Sequence, residues 1–429
     1  MIGAENWFPM RWPPGWRDPS FLDLLKDTPI NCLLIPAAEP DLSAVRQQAR
    51  RVGFTCLSPA SPEGSSGSLE QLPLIPRSAL SWQAPPKVLA VSECVWPAIV
   101  AGTNALAGPT GVPWVDSNGW FCQLVRALAP TSTLWLAYEP PADKLLTPQS
   151  YALAAADAEA HGARWVISLD AATAAEVTYA KAALRAISQV LSFFSAHRAW
   201  RQFRPCAAVG VLSDFSGNNR ELAEELLNLL SRRHLPFRVL PKSSQGEAPL
   251  NGLKAIVYPD ASMPPAPLRN HLLDFVRAGG LLITGPQWEL HEGSPGPEDV
   301  YRRFRVFNAG RGRLAIAKEE LSDPYLLALD THLLLGRAHD LIRLWNGGSL
   351  NVYYAASPDS KRALVQLINY ATRRPAHPVT VGLARRYRQA RWWEIGNEQP
   401  RALEIAPASQ GIELPLPEFD ICAAIELEA

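Results

Sequence analysis

Short apolar runs alternate with helical patterns through residues 1–204, and this alternation constrains the fold more than any other feature of the sequence. Strand-like runs separated by amphipathic helical segments predict a parallel sheet with helices on its faces. The runs that fit a strand are eight: Trp7–Met10, Cys32–Pro36, Thr55–Pro59, Leu72–Pro76, Val88–Ser92, Pro113–Ser117, Thr133–Glu139 and Arg164–Asp170. Because eight such repeats close into a ring, we predict a (β/α)8-type barrel, trimmed relative to the usual length of about 250 residues.

A repeated strand–helix order predicts a second unit over residues 205–346. Ala207–Leu212 has the pattern of a buried strand, and Arg220–His234 carries its leucines on one helical stripe. A further helix, Ala266–Ala278, ends at a Gly-Gly pair. This order is typical of an open, doubly wound α/β sheet of the flavodoxin type.

The last unit, residues 347–429, begins after the break Asn346-Gly-Gly-Ser349 and shows no helical pattern. Its strand-like runs are Leu350–Ala355, Ala363–Tyr370, Val379–Leu383, Gln389–Glu394, Arg401–Ile405, Gly411–Leu414 and Ile421–Glu426. Turn residues separate these runs, so we predict a small antiparallel β-sandwich.

The charge balance excludes some classes of partner. The 41 basic and 41 acidic residues cancel, so nothing favours nucleic acid or an anionic membrane as a partner. No apolar run is long enough to cross a bilayer. The start Met1–Trp7 lacks the basic and apolar segments of a signal peptide, so we expect a cytoplasmic protein. A periplasmic or secreted location stays open if the chain is trimmed at its start.

Cysteine and histidine spacing gives no reason to expect a metal or a cofactor. The six cysteines are scattered through apolar segments without a CxxC pair, which favours buried free thiols in a reducing compartment. The eight histidines form no HExxH or HxH pair, so a zinc site is not expected. The loop Ser213–Asn219 lacks the GxGxxG spacing that cradles phosphates.

Glu139 is the first candidate for a functional residue. It ends the strand pattern of Thr133–Glu139, and two prolines follow it. Because side chains alternate along a strand, Glu139 shares a face with Trp135 and Ala137. Active sites of parallel barrels form at the carboxyl ends of the strands, so Glu139 is expected at such a site.

Three more carboxylates fall near predicted strand ends. Glu93 follows Val88–Ser92, Asp116 lies in Pro113–Ser117, and Asp170 ends the last strand of the barrel region. A pair of carboxyl groups is what glycosidic bond cleavage needs, so Glu93 and Asp116 are candidate acids beside Glu139. Each also has a structural interpretation. Glu139 would serve as a cap or an arginine partner, Asp116 as a turn residue, Asp170 as a helix cap and Glu93 as a surface charge.

Tryptophans favour the first unit as the binding unit, because it contains ten of the 14. An indole face suits a pyranose ring, while Asn and Asp side chains bond its hydroxyls. The candidates for substrate binding are Trp12, Trp96, Trp114, Asn118, Trp120 and Asp170. The alternative for any single tryptophan is a place in the core.

The order of the three units resembles that of the family 42 β-galactosidases and related clan A glycoside hydrolases. Val209–Asp214, Leu253–Pro259 and Phe275–Thr284 are similar to the amidotransferase-like domain that those enzymes use for trimer contacts. Leu364–Tyr370 and Leu414–Cys422 resemble their C-terminal β domain. The resemblance implies a carbohydrate ligand and a homo-oligomer, dimer or trimer, held by the second unit.

The resemblance also implies roles for residues. The nucleophilic glutamate of the clan ends strand seven, and Glu139 occupies that place. The acid/base glutamate ends strand four after an asparagine, yet Leu72–Pro76 is followed by Arg77 with no Asn-Glu pair. Asn397-Glu398 is the one Asn-Glu in the sequence, and it lies in the third unit.

Three hypotheses follow from the absence of an Asn-Glu pair after Leu72–Pro76. The first is a retaining glycoside hydrolase that acts on a β-galactoside-like glycan with Glu139 as nucleophile and Glu93 or Asp116 as acid. The second is an inactive relative that binds carbohydrate. The third is a structural protein whose second unit holds an oligomer together.

Overall fold

The structure is a computed structural model that describes residues 4–37, 39–60, 71–100, 114–142, 144–242, 250–288, 294–295, 303–375 and 377–429. Only the backbone is described at residues 294–295. Within these ranges, no helix combines the length and the apolar character that crossing a membrane requires.

A parallel, nearly closed barrel forms the first unit. Its seven strands, in sheet order, are β1 Pro9–Arg11, β2 Cys32–Leu34, β3 Thr55–Ala60, β4 Gln71–Pro76, β5 Val88–Ser92, β8 Thr133–Leu136 and β9 Arg164–Trp165. The ring closes through one bridge between Met10 and Ile167, where the Ile167 amide donates to the Pro9 carbonyl at 2.9 Å. The predicted parallel barrel is therefore present, with seven strands in the described residues.

The prediction of an eighth barrel strand at Pro113–Ser117 was wrong. In this segment the structure describes the residues from Trp114 onward. Trp114–Asp116, here β7, pairs antiparallel with β6, Ala98–Val100, in a separate two-stranded sheet. Strand β5 pairs directly with β8 from Val88 opposite Thr133 onward, which leaves no place for a strand between them. Glu139 consequently follows the sixth strand of the sheet, where we expected the seventh.

Side-chain alternation divides the barrel into a filled interior and an outer helical layer. The interior cluster contains Cys32, Leu34, Leu57, Leu72, Ala90, Trp135, Ala137 and Val166. The helices of this unit are α1 Ser43–Arg51, α2 Gly119–Leu128, α3 Pro148–Glu159, α4 Ala171–Ala175 and α5 Val177–Ala196. Helix α3 begins with a capping box between Thr147 and Ser150, with Pro148 in its first turn.

The second unit contains a seven-stranded sheet in the order β12-β11-β13-β14-β17-β16-β15. Its first five strands in that order are parallel, while β16 and β15 are antiparallel additions. The strands are β11 Val209–Ser213, β12 Phe237–Pro241, β13 Ala255–Tyr258, β14 Leu281–Thr284, β15 Ser294–Pro295, β16 Phe304–Ala309 and β17 Gly312–Ala317. The helices are α6 Arg220–Arg232, α7 Ala266–Arg277 and α8 Pro324–Leu335.

Two antiparallel sheets follow, in the orders β10-β19-β20-β26-β22-β23 and β18-β21-β25-β24. Their strands are β10 Arg204–Pro205, β18 Ile342–Trp345, β19 Leu350–Ala356, β20 Arg362–Asn369, β21 Thr380–Leu383, β22 Gln389–Glu394, β23 Arg401–Ala402, β24 Ala406–Pro407, β25 Ile412–Pro415 and β26 Cys422–Glu428. One apolar cluster draws on both sheets, with Val365 and Ile425 from one and Val381 and Leu414 from the other. The short strand β10 pairs antiparallel with β19 and so joins the end of the first unit to the last unit.

Candidate functional site

Glu139 lies at the mouth of the barrel and faces inward. Strand β8 ends at Leu136, and Glu139 follows it in phase with Trp135 and Ala137, which belong to the interior cluster. One carboxylate oxygen forms an ion pair with Arg11 of β1, and the other accepts the Ser168 hydroxyl at 2.5 Å. Ser168 follows β9, which joins β8 to β1 around the ring, so these partners place the carboxylate across the barrel mouth.

A cavity of about 890 Å³ opens beside Glu139. Three segments line it: residues 139–148 after β8, residues 169–173 after β9, and one side of α5 from Glu176 to Ala183. Half of the Glu139 side chain is exposed, so the carboxylate is accessible from this space. Chain segments at the carboxyl ends of two neighbouring strands therefore form the cavity, as in barrel active sites generally.

Asp170 also lines the cavity, but its carboxylate is occupied by local bonds. It caps α4, since its Oδ1 accepts the amides of Ala172 at 2.9 Å and Thr173 at 3.0 Å. Its Oδ2 accepts the hydroxyls of Tyr151 and Thr173. Burial acts to raise the pKa of Asp170, and these hydrogen bonds outweigh it, so the pKa is lowered. The carboxylate is held ionised as a structural cap.

Glu176 is a third carboxylate in the cavity wall, and it is not among the site residues predicted from the sequence. It stands at the N-cap of α5 and makes no capping bond with its side chain. The carboxylate is therefore not committed to the helix end. The only signal in the sequence is an acidic residue before a long helical pattern, which usually indicates a cap.

Glu93 follows β5 and reaches across to the end of β4. Its Oε2 accepts the amide of Ser78 at 3.1 Å and the hydroxyl of Ser78 at 2.7 Å. These hydrogen bonds lower the pKa of Glu93, which is exposed and has a positive φ of 61°. It is absent from the described lining of the cavity at Glu139.

Asp116 and Trp114 face the second unit. The Trp114 indole donates to Asp116 at 3.1 Å, and the Arg232 guanidinium of α6 lies over the Trp114 ring at 3.3 Å from its centre. Arg232 also approaches Asp116 at 3.6 Å. Both residues thus contribute to a contact between units, and neither is among the described residues that line the cavity.

Asn118 belongs to a buried polar network. Its side chain donates to Asp157 at 2.8 Å and to the Val95 carbonyl at 2.9 Å. Asp157 of α3 also accepts the hydroxyl of Tyr370, which follows β20 in the last unit. Burial raises the pKa of Asp157 to about 6, against the opposing effect of the bonds from Tyr370 and Asn118. This network joins two units and has no open face for a ligand.

The remaining predicted binding tryptophans are packed in the core. Trp12 is 1% exposed and Trp120 is 5% exposed, which leaves no ring face for a sugar. Trp96 is partly buried and makes edge contacts with Tyr138, Tyr151 and Trp165. Of all predicted site residues, the structure brings Glu139 and Asp170 together at the cavity and distributes the others elsewhere.

Two partners of Glu139 were not foreseen. Arg11 follows an apolar run at the end of β1, and Ser168 lies within the predicted strand Arg164–Asp170. A charged residue that ends an otherwise apolar strand is the signal that would have identified Arg11. Its place opposite Glu139 depends on ring closure, which no local pattern reveals.

Among the described residues, the cysteines and the metal-binding side chains form no second candidate site. All six cysteines lie in the described ranges and none forms a disulfide, and Cys32, Cys56, Cys122 and Cys422 are buried. Among the residues described, no group of three or more His, Cys, Asp or Glu side chains is placed to hold a metal ion.

Comparison with known proteins gives likeness of fold only. Neither a scan of protein-family models nor a search of curated proteins gives a match. Among solved structures, an α-L-fucosidase isoenzyme 2 from Paenibacillus thiaminolyticus is similar over 75% of this chain and 64% of its own, with TM-score 0.51 and 12% identity. A GH42 β-galactosidase from G. stearothermophilus covers 91% of this chain and 66% of its own, with TM-score 0.51 and 12% identity.

A β-galactosidase from Bacillus circulans sp. alkalophilus gives the same coverage, 91% and 66%, with TM-score 0.50 and 11% identity. The chain therefore spans just under two thirds of the length of each of these structures. At such identities the comparison establishes a shared fold, and a function must be argued from the site. The chain has a barrel fold similar to that of several glycoside hydrolases.

Proposed function

We propose that the protein binds a carbohydrate in the cavity beside Glu139 and cleaves its glycosidic bond with retention of configuration. The observation that carries the proposal is the position of Glu139. It is an accessible carboxylate at the mouth of a parallel barrel, on the edge of a cavity of about 890 Å³. Cavities of this size are typical of small-ligand sites. The fold shared with β-galactosidases and a fucosidase supports a glycoside as substrate.

Retaining cleavage needs a nucleophile and an acid about 5 Å apart. In our proposal Glu139 attacks the anomeric carbon, and a second carboxylic acid gives its proton to the leaving oxygen. Water then enters, loses a proton to the second group and releases the sugar from Glu139. The ion pair with Arg11 and the bond from Ser168 would orient the Glu139 carboxylate for this attack.

Glu176 is our choice for the acid. It lines the same cavity and is free of a capping bond. Asp170 suits the role poorly because four hydrogen bonds hold it as an anion. Glu93, a candidate from the sequence, is disfavoured because its lowered pKa opposes holding a proton. Asp116 is engaged by Trp114 and Arg232.

Hydrolysis of 4-nitrophenyl glycosides, measured by the release of 4-nitrophenolate, tests the proposal. Glu139→Gln should lower kcat/KM by about a thousandfold or more, since the nucleophile is lost. Glu398→Gln, at an exposed position in the third unit, is the matched control and should leave turnover unchanged. Turnover that survives Glu139→Gln would refute the role of Glu139.

The leaving group separates the roles of the two glutamates. 4-Nitrophenolate leaves without a proton, so Glu176→Gln should have little effect on formation of the glycosyl-enzyme from that substrate. For an alkyl glycoside, Glu176→Gln should slow formation of the glycosyl-enzyme by about a hundredfold or more, because a poor leaving group needs a proton from the acid. An equal loss with both substrates would contradict Glu176 as the acid.

Carbohydrate binding without turnover is the second candidate. The departure from the Asn-Glu pattern after β4 favours it, as do the contacts that occupy Glu93, Asp116 and Asp170. In that case calorimetric titration would detect sugar binding that Glu139→Gln weakens, and every chromogenic glycoside would remain intact.

We also propose the division into residues 1–204, 205–346 and 347–429, the middle unit being amidotransferase-like and the last a β-sandwich. We likewise propose a homo-oligomer held by the middle unit and a cytoplasmic location. Sedimentation velocity tests the oligomer, and a monomer at all concentrations would count against it and against a purely structural role.

A further inference from the structure

Two of the large apolar side chains that remain in solvent line the cavity. In the part of the chain that the structure describes, those that are exposed are Val52, Leu145, Val177, Tyr179, Leu333 and Trp345. Leu145 is 93% exposed, Tyr179 is 65% exposed, and both line the cavity. Val177 begins the helix whose side forms the cavity wall. Exposed apolar side chains at the wall of a cavity are characteristic of a binding site.

Several polar side chains that line the cavity are already hydrogen-bonded within the protein. The Thr147 hydroxyl accepts the Ser150 amide in the capping box of α3. The hydroxyls of Tyr151 and Thr173 both donate to Asp170. A ligand therefore finds mostly carbon there, including Leu146, Pro148 and Leu169 at the wall.

Two charged side chains line the loop and helix side of the cavity: Lys144, which precedes Leu145, and Glu176, three residues before Tyr179. Glu139 with its partner Arg11 belongs to the barrel mouth, whereas Leu145 and Tyr179 belong to the loop after β8 and to α5. A sugar ring carries several hydroxyls, each of which needs a polar partner when it is buried. The mouth provides such partners in Glu139 and Arg11, whereas the loop and helix side adds two charged groups to a mainly apolar surface. The cavity thus suits a ligand with one polar end and one apolar end.

We propose that the substrate is a glycoside with an apolar aglycone, which lies against Leu145 and Tyr179 while its sugar lies at Glu139. This inference rests on the proposed function and adds to it the chemical class of the leaving group. Leu145 and Tyr179 are then the residues that determine aglycone specificity. A volume of about 890 Å³ has room for a sugar together with an alkyl or aryl group.

Paired methyl and hexyl glycosides test the inference. Isothermal titration of the full chain with methyl and hexyl β-D-galactopyranoside, and with the corresponding α-L-fucopyranosides, gives the affinity that the alkyl chain adds. We expect the hexyl form of the sugar that binds to bind about tenfold tighter or more, since each buried methylene contributes to affinity. Leu145→Ser and Tyr179→Ser should each remove most of that preference, measured within each variant as the ratio of hexyl to methyl glycoside affinity. Leu333→Ser, an exposed leucine on α8, is the matched control and should keep the preference.

The outcomes separate this inference from the proposed function. Equal binding of methyl and hexyl forms would overturn the apolar aglycone and leave carbohydrate binding intact. A hexyl preference that persists in Leu145→Ser and Tyr179→Ser would also overturn it, because the alkyl chain would lie elsewhere. No binding of any of the four glycosides would reject both, and a fluorescence titration with anilinonaphthalene sulfonate would then show whether the apolar surface takes an apolar ligand without a sugar.

Discussion

Two carboxylates of the barrel unit, Glu139 and Asp157, have opposite surroundings. Glu139 is half exposed at the barrel mouth and borders a cavity, with partners from two neighbouring strands of the same unit. Asp157 is fully buried on α3, and its partners come from the start of α2 and from the end of β20 in another unit. The difference teaches that a buried, fully bonded carboxylate stabilises a junction, whereas an accessible one at a strand end is available for chemistry.

The largest expected effect is on the free energy of unfolding, through the network in which Asp157 binds Asn118 and Tyr370. At about pH 5, Asp157→Ala should lower the free energy of unfolding by about 3 kcal/mol. The reason is that the Tyr370 hydroxyl and the Asn118 amide, both buried, lose their hydrogen-bond acceptor. Urea unfolding followed by tryptophan fluorescence measures the loss. Asp157→Asn, which keeps the volume and one acceptor oxygen, should lose less. A variant Asp157→Ala as stable as the parent would show that the network does not join the units.

A smaller effect should appear in the dependence of stability on pH. Burial raises the pKa of Asp157 to about 6 from an ordinary value of 3.8. The folded state therefore holds the proton at pH values where the unfolded chain has lost it. The stability linked to this proton is complete below the unfolded pKa and is lost as the pH rises through the folded one.

Between about pH 5 and pH 7 the parent should therefore lose about 1 kcal/mol of stability relative to Asp157→Asn. Urea unfolding of both proteins across this range gives the difference at each pH. The comparison with Asp157→Asn cancels the contributions of other titrating groups. A difference that is constant with pH, or that grows in favour of the parent as the pH rises, would contradict the raised pKa.

Local pattern predicted most of the barrel and less of its closure. Seven of the eight strand-like runs are barrel strands, because an apolar run between turn residues indicates a strand whatever its partner. Pro113–Ser117 has the same local pattern, and only its antiparallel pairing with Ala98–Val100 removes it from the ring. Pairing depends on contacts distant in the sequence, so no local pattern distinguishes the two outcomes.

The candidate site also combines features that local sequence predicts with features that depend on contacts distant in the sequence. Alternation along Thr133–Glu139 predicted one face for Trp135, Ala137 and Glu139, and the first two do belong to the interior cluster. The strand itself ends at Leu136, so Glu139 lies in the segment that follows it. The burial of Trp12 and Trp120 depends on neighbours from other elements, so loop position alone gave no measure of it. Glu176 was missed because the helix that follows it resembles any capped helix, and its place in the cavity wall depends on how α5 packs.

The smallest expected effect is on stability at the barrel mouth. The ion pair of Glu139 with Arg11 is partly solvated, with 50% and 34% of the side chains exposed, and such pairs contribute about 0.5 kcal/mol. Glu139→Gln keeps the shape and the acceptor oxygen for Ser168, so its urea unfolding should match the parent within about that amount. Ser168→Ala is a useful companion, because it removes the second partner without touching the carboxylate. A loss from Glu139→Gln as large as that expected for Asp157→Ala would place Glu139 among the structural carboxylates. Its effect on turnover would then report unfolding and could not support a nucleophile, whereas an unchanged stability with lost activity assigns the loss to chemistry.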